Sequence, residues 1–397
     1  MIEITDKNLC CACGACASVC PKNCISMVPD SEGFLYPKVD ISSCIDCKLC
    51  ESVCMYRREY PASRGGRLYF AARASGSEFF MNSSSGGIFP LFAADVIARG
   101  GFVFGAGFSR DFTEVSHICV DNIGDIARLQ GSKYVQSRIG DCFVKCKELL
   151  KSSKNVLFSG TPCQILGLKN YLGKDFENLL TIDVACFGVP SPSVWKSYLK
   201  SCIGNLPDHC VNAVAFRKKI LERGEINTFN FVISPGIVSE NSYNSVFGRA
   251  FKGRLINRPC CDSCLLKNCN NVSDLTLGDC WGVEEVFPDR SVRSGISLVV
   301  VNSQRGGEAL DRVLRQHCEF LKSMDEDLVL KSNKGIYSGR VVASVKRETF
   351  FREFSSPGGD SKVLELLKKN LREPLSKRVL DLVRRFLRKL RGFVLRR

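Results

Sequence analysis

"CCACGACASVCP", residues 10–21, decides the fold of the N-terminal end of the chain. It sets Cys10, Cys13, Cys16 and Cys20 ahead of Pro21 in a C-x2-C-x2-C-x3-C-P run. Residues 44–54, "CIDCKLCESVC", repeat the spacing with Cys44, Cys47, Cys50 and Cys54. Three thiolates on one tight loop reach three irons of one cubane, while the fourth, carried off on a short helix, ligates the other cluster. The spacing therefore predicts crossed ligation, with Cys10, Cys13, Cys16 and Cys54 on one [4Fe-4S] cluster and Cys44, Cys47, Cys50 and Cys20 on a second. Zinc takes four thiolates with longer gaps between pairs, and triplets with a displaced fourth cysteine suit it poorly. Met55 stands where the first run has Pro21, and Cys11 and Cys24 are left over as packing thiols.

A bare two-cluster module passes electrons and does no bond chemistry, so the rest of the chain must use them. Its 397 residues, 45% hydrophobic and 24% charged, suffice for two or three domains. Twenty-three cysteines in a chain whose start, "MIEITDKN", does not read as a signal peptide argue for metal or redox chemistry in a reducing, cytoplasmic setting. The most apolar windows, Phe89 to Phe108 and Leu179 to Val189, are interrupted by Asp95, Arg99 and Asp183, and neither reads as a membrane span. The net charge is +15, yet residues 1–60 carry six Lys or Arg against eight Asp or Glu, and residues 361–397 carry thirteen against three. The basic character belongs to the tail.

From about Leu68, apolar runs alternate with helix-length amphipathic segments. Residues 68–73, 101–108, 115–120, 155–160 and 179–186 read as strands, with helices at 88–99, 139–151 and 164–172 between them. This alternation predicts an α/β domain with a largely parallel sheet, whose ligand sits at the strand-to-helix turns. "NSSSGGIF", 82–89, puts hydroxyls and a Gly pair directly before a helix, where backbone N–H groups face a phosphate. "GSKYVQS", 131–137, offers Lys133, Tyr134 and Gln136 in a polar stretch. In "FSGTPCQI", 158–165, Cys163 follows a buried-looking strand at its C-terminal end, and Cys186 ends the next strand. Were those strands neighbours, the two sulfurs would meet at one sheet edge. A Cys–His nucleophile is disfavoured, because the chain has only His117, His209 and His317 and none is adjacent in sequence to Cys163. "RPCCDSCLLKNC", 258–269, adds Cys260, Cys261, Cys264 and Cys269, and "SDLTLGDCWG", 273–282, adds Cys280. The spacing leaves open which of these would ligate.

"SSSGGIF", "GSKYVQS", "FSGTPCQI", "GVPSP", "RPCCDSC" and "SDLTLGDCWG", in that order behind a two-cluster module, resemble the coenzyme F420 hydrogenase/dehydrogenase beta subunit family over residues 4–315. The resemblance implies an iron–sulfur flavoprotein with FAD and a third [4Fe-4S] cluster in the α/β body. It places Ser85, Gly86, Gly87, Lys133, Tyr134, Gln136, Thr161 and Pro162 around FAD, and Cys163, Cys186, Cys261 and Cys264 on the third cluster. Two departures stand out. Relatives commonly have Cys-His-Gly where this chain has Cys186-Phe187-Gly188, and "FRKKILERG", 216–224, differs from the usual residues.

The expected architecture is an α+β ferredoxin-like dicluster domain (1–60), an α/β flavin-binding body, and a basic amphipathic C-terminal helix. The body comprises an FAD-binding part (61–210) and a part with the third iron–sulfur site (211–345), and the tail spans 346–397. In "PLSKRVLDLVRRFLRKLRGFVLRR", 374–397, apolar residues share one helical face, which suits either an anionic membrane surface or a protein surface. No recognition motif accompanies the charge, so nucleic acid is not an expected partner. The expected function is a cytoplasmic reductase, peripheral to the inner membrane if the tail binds lipid. A redox donor protein or reduced ferredoxin would supply electrons, which leave through FAD to a small organic substrate such as a saccharide precursor. The alternatives are an F420-dependent hydrogenase or dehydrogenase subunit and a non-catalytic electron carrier.

Overall fold

The computed structural model describes residues 1–58, 66–204, 206–207, 210–222, 225–242, 244–267, 272–283, 287, 295–333 and 344–371. The N-terminal module contains helix α1 (Ala15–Val19), strands β1 (Ile25–Pro29) and β2 (Leu35–Val39), and helix α2 (Leu49–Ser52). β1 and β2 form an antiparallel hairpin with Ile25 opposite Val39 and Pro29 opposite Leu35. The two cysteine loops curl alike. Cys13 is flanked by left-handed Ala12 (φ 54°) and Gly14 (φ 77°), and Cys47 by left-handed Asp46 (φ 49°) and Lys48 (φ 61°). Non-glycine residues rarely take this conformation, and here it turns consecutive cysteines toward a common centre.

The body contributes, in chain order, β3 (Leu68–Ala74), α3 (Ser77–Met81), α4 (Ile88–Ala98), β4 (Phe102–Phe108), β5 (Val115–Val120), α5 (Ile126–Leu129), α6 (Cys142–Lys151), β6 (Val156–Gly160), α7 (Pro162–Leu172) and β7 (Leu179–Val184). There follow α8 (Pro192–Ile203), β8 (Ala213–Glu222), β9 (Glu225–Ser234), β10 (Val238–Asn241), α9 (Val246–Lys252), β11 (Leu275–Asp279), β12 (Ser297–Val301), α10 (Gln304–His317), β13 (Cys318–Met324), α11 (Glu326–Ser332), α12 (Arg347–Phe354) and α13 (Val363–Leu371). An eight-stranded sheet runs β13-β3-β12-β11-β7-β6-β4-β5, and a three-stranded one runs β10-β9-β8.

The expected strands and helices are present, but the sheet is mixed rather than largely parallel. Only β4–β6, β6–β7 and β7–β11 pair in parallel. The short Ser109–Glu114 connection can only return β5 antiparallel to β4, and β12, β3 and β13 pair antiparallel on the other side. Helix–strand alternation reports crossovers and is blind to such returns.

Both faces of the sheet are covered. Ile88 and Phe92 of α4 and Leu310 and Leu314 of α10 pack on one face. Phe143 and Cys146 of α6 and Ile165 and Leu168 of α7 pack on the other, against Phe104 and Phe158. Hence β6 reads as a continuous apolar run rather than an alternating one.

A third core joins the small sheet to α8, α9, α12 and α13 around Trp195, whose ring lies 4.9 Å from Phe216 and 5.2 Å from Phe247. Phe350, Phe354 and Leu367 complete it. Residues 347–371 are therefore part of the body, so the tail boundary expected at 346 lies too early; three phenylalanines in one short helix mark a core element. The amphipathic stretch 374–397 lies outside the described residues.

The dicluster module is set into this body through the tip of its hairpin. Phe34 is fully buried in the third core. Arg347 donates two hydrogen bonds to the Glu32 carboxylate, at 3.1 and 2.5 Å, and the Ser355 hydroxyl donates to the Ser31 carbonyl at 2.7 Å. Among the described residues no helix is long and apolar enough to cross a membrane.

Candidate iron–sulfur and cofactor sites

The described cysteines gather around three cavities. Cys20, Cys44, Cys47 and Cys50 line the outermost, a hollow of about 20 Å³. Cys10, Cys13, Cys16 and Cys54 line a second, of about 30 Å³. Cys24 also lines the first and Cys11 the second, so each cavity gathers the four cysteines of one crossed set and one spare thiol; α1 carries Cys20 away from its own loop and α2 carries Cys54 away from its own. Burial, with the charge of Cys10 and Cys54, pushes the Cys16 thiol up to about 12. Of the two spare thiols of the module, Cys24 sits 3.3 Å from Cys20, and Cys11 sits 3.5 Å from the Met55 sulfur.

A third cavity, of about 80 Å³, lies at the C-terminal ends of β6 and β7. These strands are parallel neighbours, with Gly160 opposite Asp183, so Cys163 and Cys186 do meet at one sheet edge. Thr161 caps α7 through a reciprocal box with Gln164, and Pro162 opens the helix, which fixes Cys163 in its first turn. The short Pro259–Cys261 turn brings Cys260 and Cys261 to the same cavity, and Cys264 follows.

The chemistry of this donor set suits a cationic guest. Burial pushes the Cys186 thiol up, and Cys261, Cys163 and Cys264 push it further. Cys163 is raised first by its hydrogen bond with Cys11 and then by burial, and burial takes Cys264 up to about 11. Cys261 moves the other way, to about 7, because Cys260 donates to it. Crowded thiols of this kind ionise together only with a cation to neutralise them. Two buried polar atoms on the cavity wall, Asp183 Oδ1 and Lys267 Nζ, have no hydrogen-bond partner. Burial raises the Asp183 carboxyl to about 7 and lowers the Lys267 ammonium. Among the described residues no three His, Cys, Asp or Glu side chains converge on a single-ion site, whereas a cubane asks its four thiolates to reach separate irons.

Cys280 packs instead with Leu298 and Met324, away from the cavity, and Cys269 lies outside the described residues.

Beyond the third cavity opens a cleft of about 790 Å³, within the range of small-molecule and cofactor sites, about 300–1,000 Å³. Ser85, Gly87, Lys133, Tyr134 and Thr161 line it; Gly86 lies between two of them and donates its N–H to Ser297 Oγ at 2.8 Å. Gln136 and Pro162, expected at the same ligand, line the cysteine cavity instead. A Cβ at Gly86 would fall 2.3 Å from the Ala72 carbonyl, and Gly87 is left-handed at φ 78° and caps α4. Both glycines are thus required by the turn. The Lys133 ammonium, lowered to about 7 by burial, donates to the carbonyls of Leu129, Gln130 and Gly131 at the end of α5.

Sequence reasoning missed two residues here. Lys219, buried in β8, donates to the carbonyls of Phe80 (2.8 Å), Ser83 and Ser85 (2.5 Å), and so holds the Ser-Gly turn from behind. His117 lines the cleft from β5 and donates through Nε2 to the Ser159 carbonyl at 2.9 Å.

Residues 153–327 match the family model for the C terminus of the coenzyme F420 hydrogenase/dehydrogenase beta subunit, and residues 9–57 match the 4Fe-4S dicluster domain. Over those residues the chain carries the C-terminal domain of the coenzyme F420 hydrogenase/dehydrogenase beta subunit, behind a 4Fe-4S dicluster domain. With its dicluster domain, this beta-subunit relative is an iron–sulfur protein. An uncharacterized protein of Methanocaldococcus jannaschii is 25% identical over 220 residues, which are 47% of this chain and 60% of the relative. The chain thus spans three fifths of the length of that curated relative. A chain of the F420-reducing [NiFe] hydrogenase complex from Methanosarcina barkeri is similar at 16% identity and a TM-score of 0.46, covering 75% of this chain and 94% of that one.

Proposed function

We propose that the chain is an iron–sulfur flavoprotein oxidoreductase that takes electrons from a redox donor protein and delivers them to a small organic substrate in the cleft. One observation carries this reading: the cysteine-lined cavities and the cleft adjoin in series, the first two meeting where Ile2, on the wall of the second, donates its N–H to Cys50 Sγ, on the wall of the first, at 3.3 Å. Cys11, Met55 and Tyr56 wall both the second and third cavities, and Thr161, Gln164 and Cys186 wall both the third cavity and the cleft.

In this reading Cys20, Cys44, Cys47 and Cys50 hold the outer cluster, and Cys10, Cys13, Cys16 and Cys54 the next. Cys163, Cys186, Cys261 and Cys264 hold the body cluster. Ser85, Gly86 and Gly87, backed by Lys219, and Lys133, Tyr134 and Thr161 would hold FAD. Bound there, FAD would supply the conversion between single electrons and electron pairs that clusters alone lack. The chain's own residues position and shield: Thr161 and Gln164 fix the start of α7, Gly87 caps α4 on the cleft wall where a phosphate would sit, and Phe187 stands where relatives have a histidine. Proton delivery must therefore come from elsewhere in the cleft, where His117 is the described histidine.

The test is anaerobic purification followed by measurement of iron, acid-labile sulfide and released flavin. About twelve irons and one FAD per chain support the reading. About eight irons without flavin reduce the chain to an electron carrier. The family match over residues 153–327 favours a second reading, in which coenzyme F420 is the small-molecule partner and the chain works as a hydrogenase or dehydrogenase subunit. Bleaching of F420 by the reduced protein would decide for that reading.

A further inference from the structure

Arg258 precedes the cysteines of the body cavity and is fully buried, with no measurable exposure. All three guanidinium nitrogens donate, and none to a carboxylate. Nε donates to the Cys10 carbonyl at 2.8 Å, Nη1 to Gln136 Oε1 at 3.1 Å, and Nη2 to the Leu35 carbonyl at 2.9 Å. Its faces are covered by the Tyr36 and Phe34 rings, 4.3 and 5.4 Å away. A guanidinium does not deprotonate in a protein, so this is a permanent cation sealed from water among neutral acceptors. An unpaired buried charge is strongly destabilising, and folding tolerates it only where an anion compensates. The acidic groups whose charge reaches Arg258 are the thiols of Cys10, Cys260 and Cys11 and the Tyr36 hydroxyl.

These neighbours point in two directions. Cys10 lines the second cavity, while Cys11 lines both the second and the third. Cys260 lines the third, as does Arg258 itself. The cation thus lies between the two inner cavities. The cations beside the outer cavity are not sealed in this way: Lys22 and Lys48 are exposed, and Lys48 and the N-terminal ammonium are already paired with Asp46 at 2.9 and 3.0 Å.

We propose that Arg258 is the shared counter-cation of the two inner clusters, making both easier to reduce than the outer one and so directing electrons inward. The proposal rests on the assignment of the cysteine sets as cluster ligands. A cubane held by four thiolates is anionic in both oxidation states and more so when reduced, so a fixed neighbouring cation favours the reduced form. Low polarity around Arg258 lets that effect persist at high salt. Gln136 completes the arrangement. It accepts from Arg258 and donates from Nε2 to the Cys11 carbonyl at 3.0 Å, holding the cysteine loop against the cation.

The experiment is a dithionite titration of the anaerobically purified full chain, followed by electron paramagnetic resonance, for the native protein, Arg258→Lys and Arg258→Gln, with iron counted in each. The expected result is that Arg258→Gln lowers the reduction equilibrium constants of the inner clusters tenfold or more, about 59 mV for one electron. The outer cluster should not move, and Arg258→Lys should stay within about threefold of the native protein. Iron loss from Arg258→Gln but not from Arg258→Lys also supports the charge role.

Unchanged inner potentials in iron-replete Arg258→Gln overturn the proposal. So does an equal shift of the outer cluster, or an Arg258→Lys protein that behaves like Arg258→Gln, whether in potential or in iron loss, since geometry rather than charge would then be the requirement. A native protein with eight irons would instead remove the body cluster, leaving the Cys10 cluster to be tested in the same way.

Discussion

Gly167, midway along α7, lies directly against Cys13 of the dicluster module: a Cβ at position 167 would stand 2.8 Å from the Cys13 Cβ and 2.9 Å from its sulfur. The helix that presents Cys163 in its first turn is thus the surface on which the second cysteine cavity rests. Glycine inside a helix costs roughly 0.5–1 kcal/mol relative to alanine, and close approach explains its presence here.

Gly167→Ala is accordingly expected to destabilise despite its better helix propensity. Overpacking at such a contact costs about 1–3 kcal/mol, more than the propensity gain. Thermal unfolding should shift downward, and anaerobic reconstitution should deliver less iron. A variant with native melting temperature and iron content would show that the module does not rest on α7.

Lys219→Met would strip three carbonyls, those of Phe80, Ser83 and Ser85, of their shared donor. Each buried acceptor left unsatisfied costs about 1–3 kcal/mol, and the Ser-Gly turn should lose its shape. Flavin content should fall several-fold while iron per chain stays native, because none of the three acceptors lines a cysteine cavity. Equal loss of iron and flavin would instead indicate general unfolding.

His117 makes stability depend on pH. Burial lowers its imidazole from 6.5 to about 4, and Nδ1 is buried without a partner. The folded state therefore binds fewer protons than the unfolded chain between these values, and stability rises with pH through that window. The contribution is complete above pH 6.5 and is lost as pH falls to 4, amounting to about 3 kcal/mol. Denaturant unfolding between pH 4.5 and 7 should show this slope in the native chain and a flatter one in His117→Gln. Parallel curves would exclude His117 as the cause.

The sequence made the cysteine sets legible because loop spacing fixes which thiolates can reach a common centre. Hydrophobic runs likewise located β3 to β7. Cys163 and Cys186 could be paired only once β6 and β7 were known as neighbours, since strand order is a long-range property. Lys219 was hidden for a local reason: β8 carries irregularities between Ala215 and Lys218 and between Lys218 and Ile220. Each shifts the inward–outward alternation, so counting by twos from Phe216 puts Lys219 on the wrong face. Arg258 stood in plain view within "RPCCDSC", but its meaning depends on Cys10, Leu35 and Gln136, all of them more than a hundred residues away in sequence.

The pairing of Glu32 with Arg347 gives the last expectation. The hairpin tip of the module and α12 of the body meet through this fork, with side chains only 15% and 10% exposed. Removing one partner leaves the other charged and buried, which costs about 3 kcal/mol or more, whereas replacing both restores much of the loss. Arg347→Met and Glu32→Gln should each lower the melting temperature and speed proteolysis near residues 30–34. The double variant should be more stable than the sum of the two predicts, because neither charge is then stranded. Additive effects would mean that the two charges do not meet in solution. The cysteine loops would then need another anchor on the body, for which the hydrogen bonds from Arg258 and Gln136 to Cys10 and Cys11 would have to suffice.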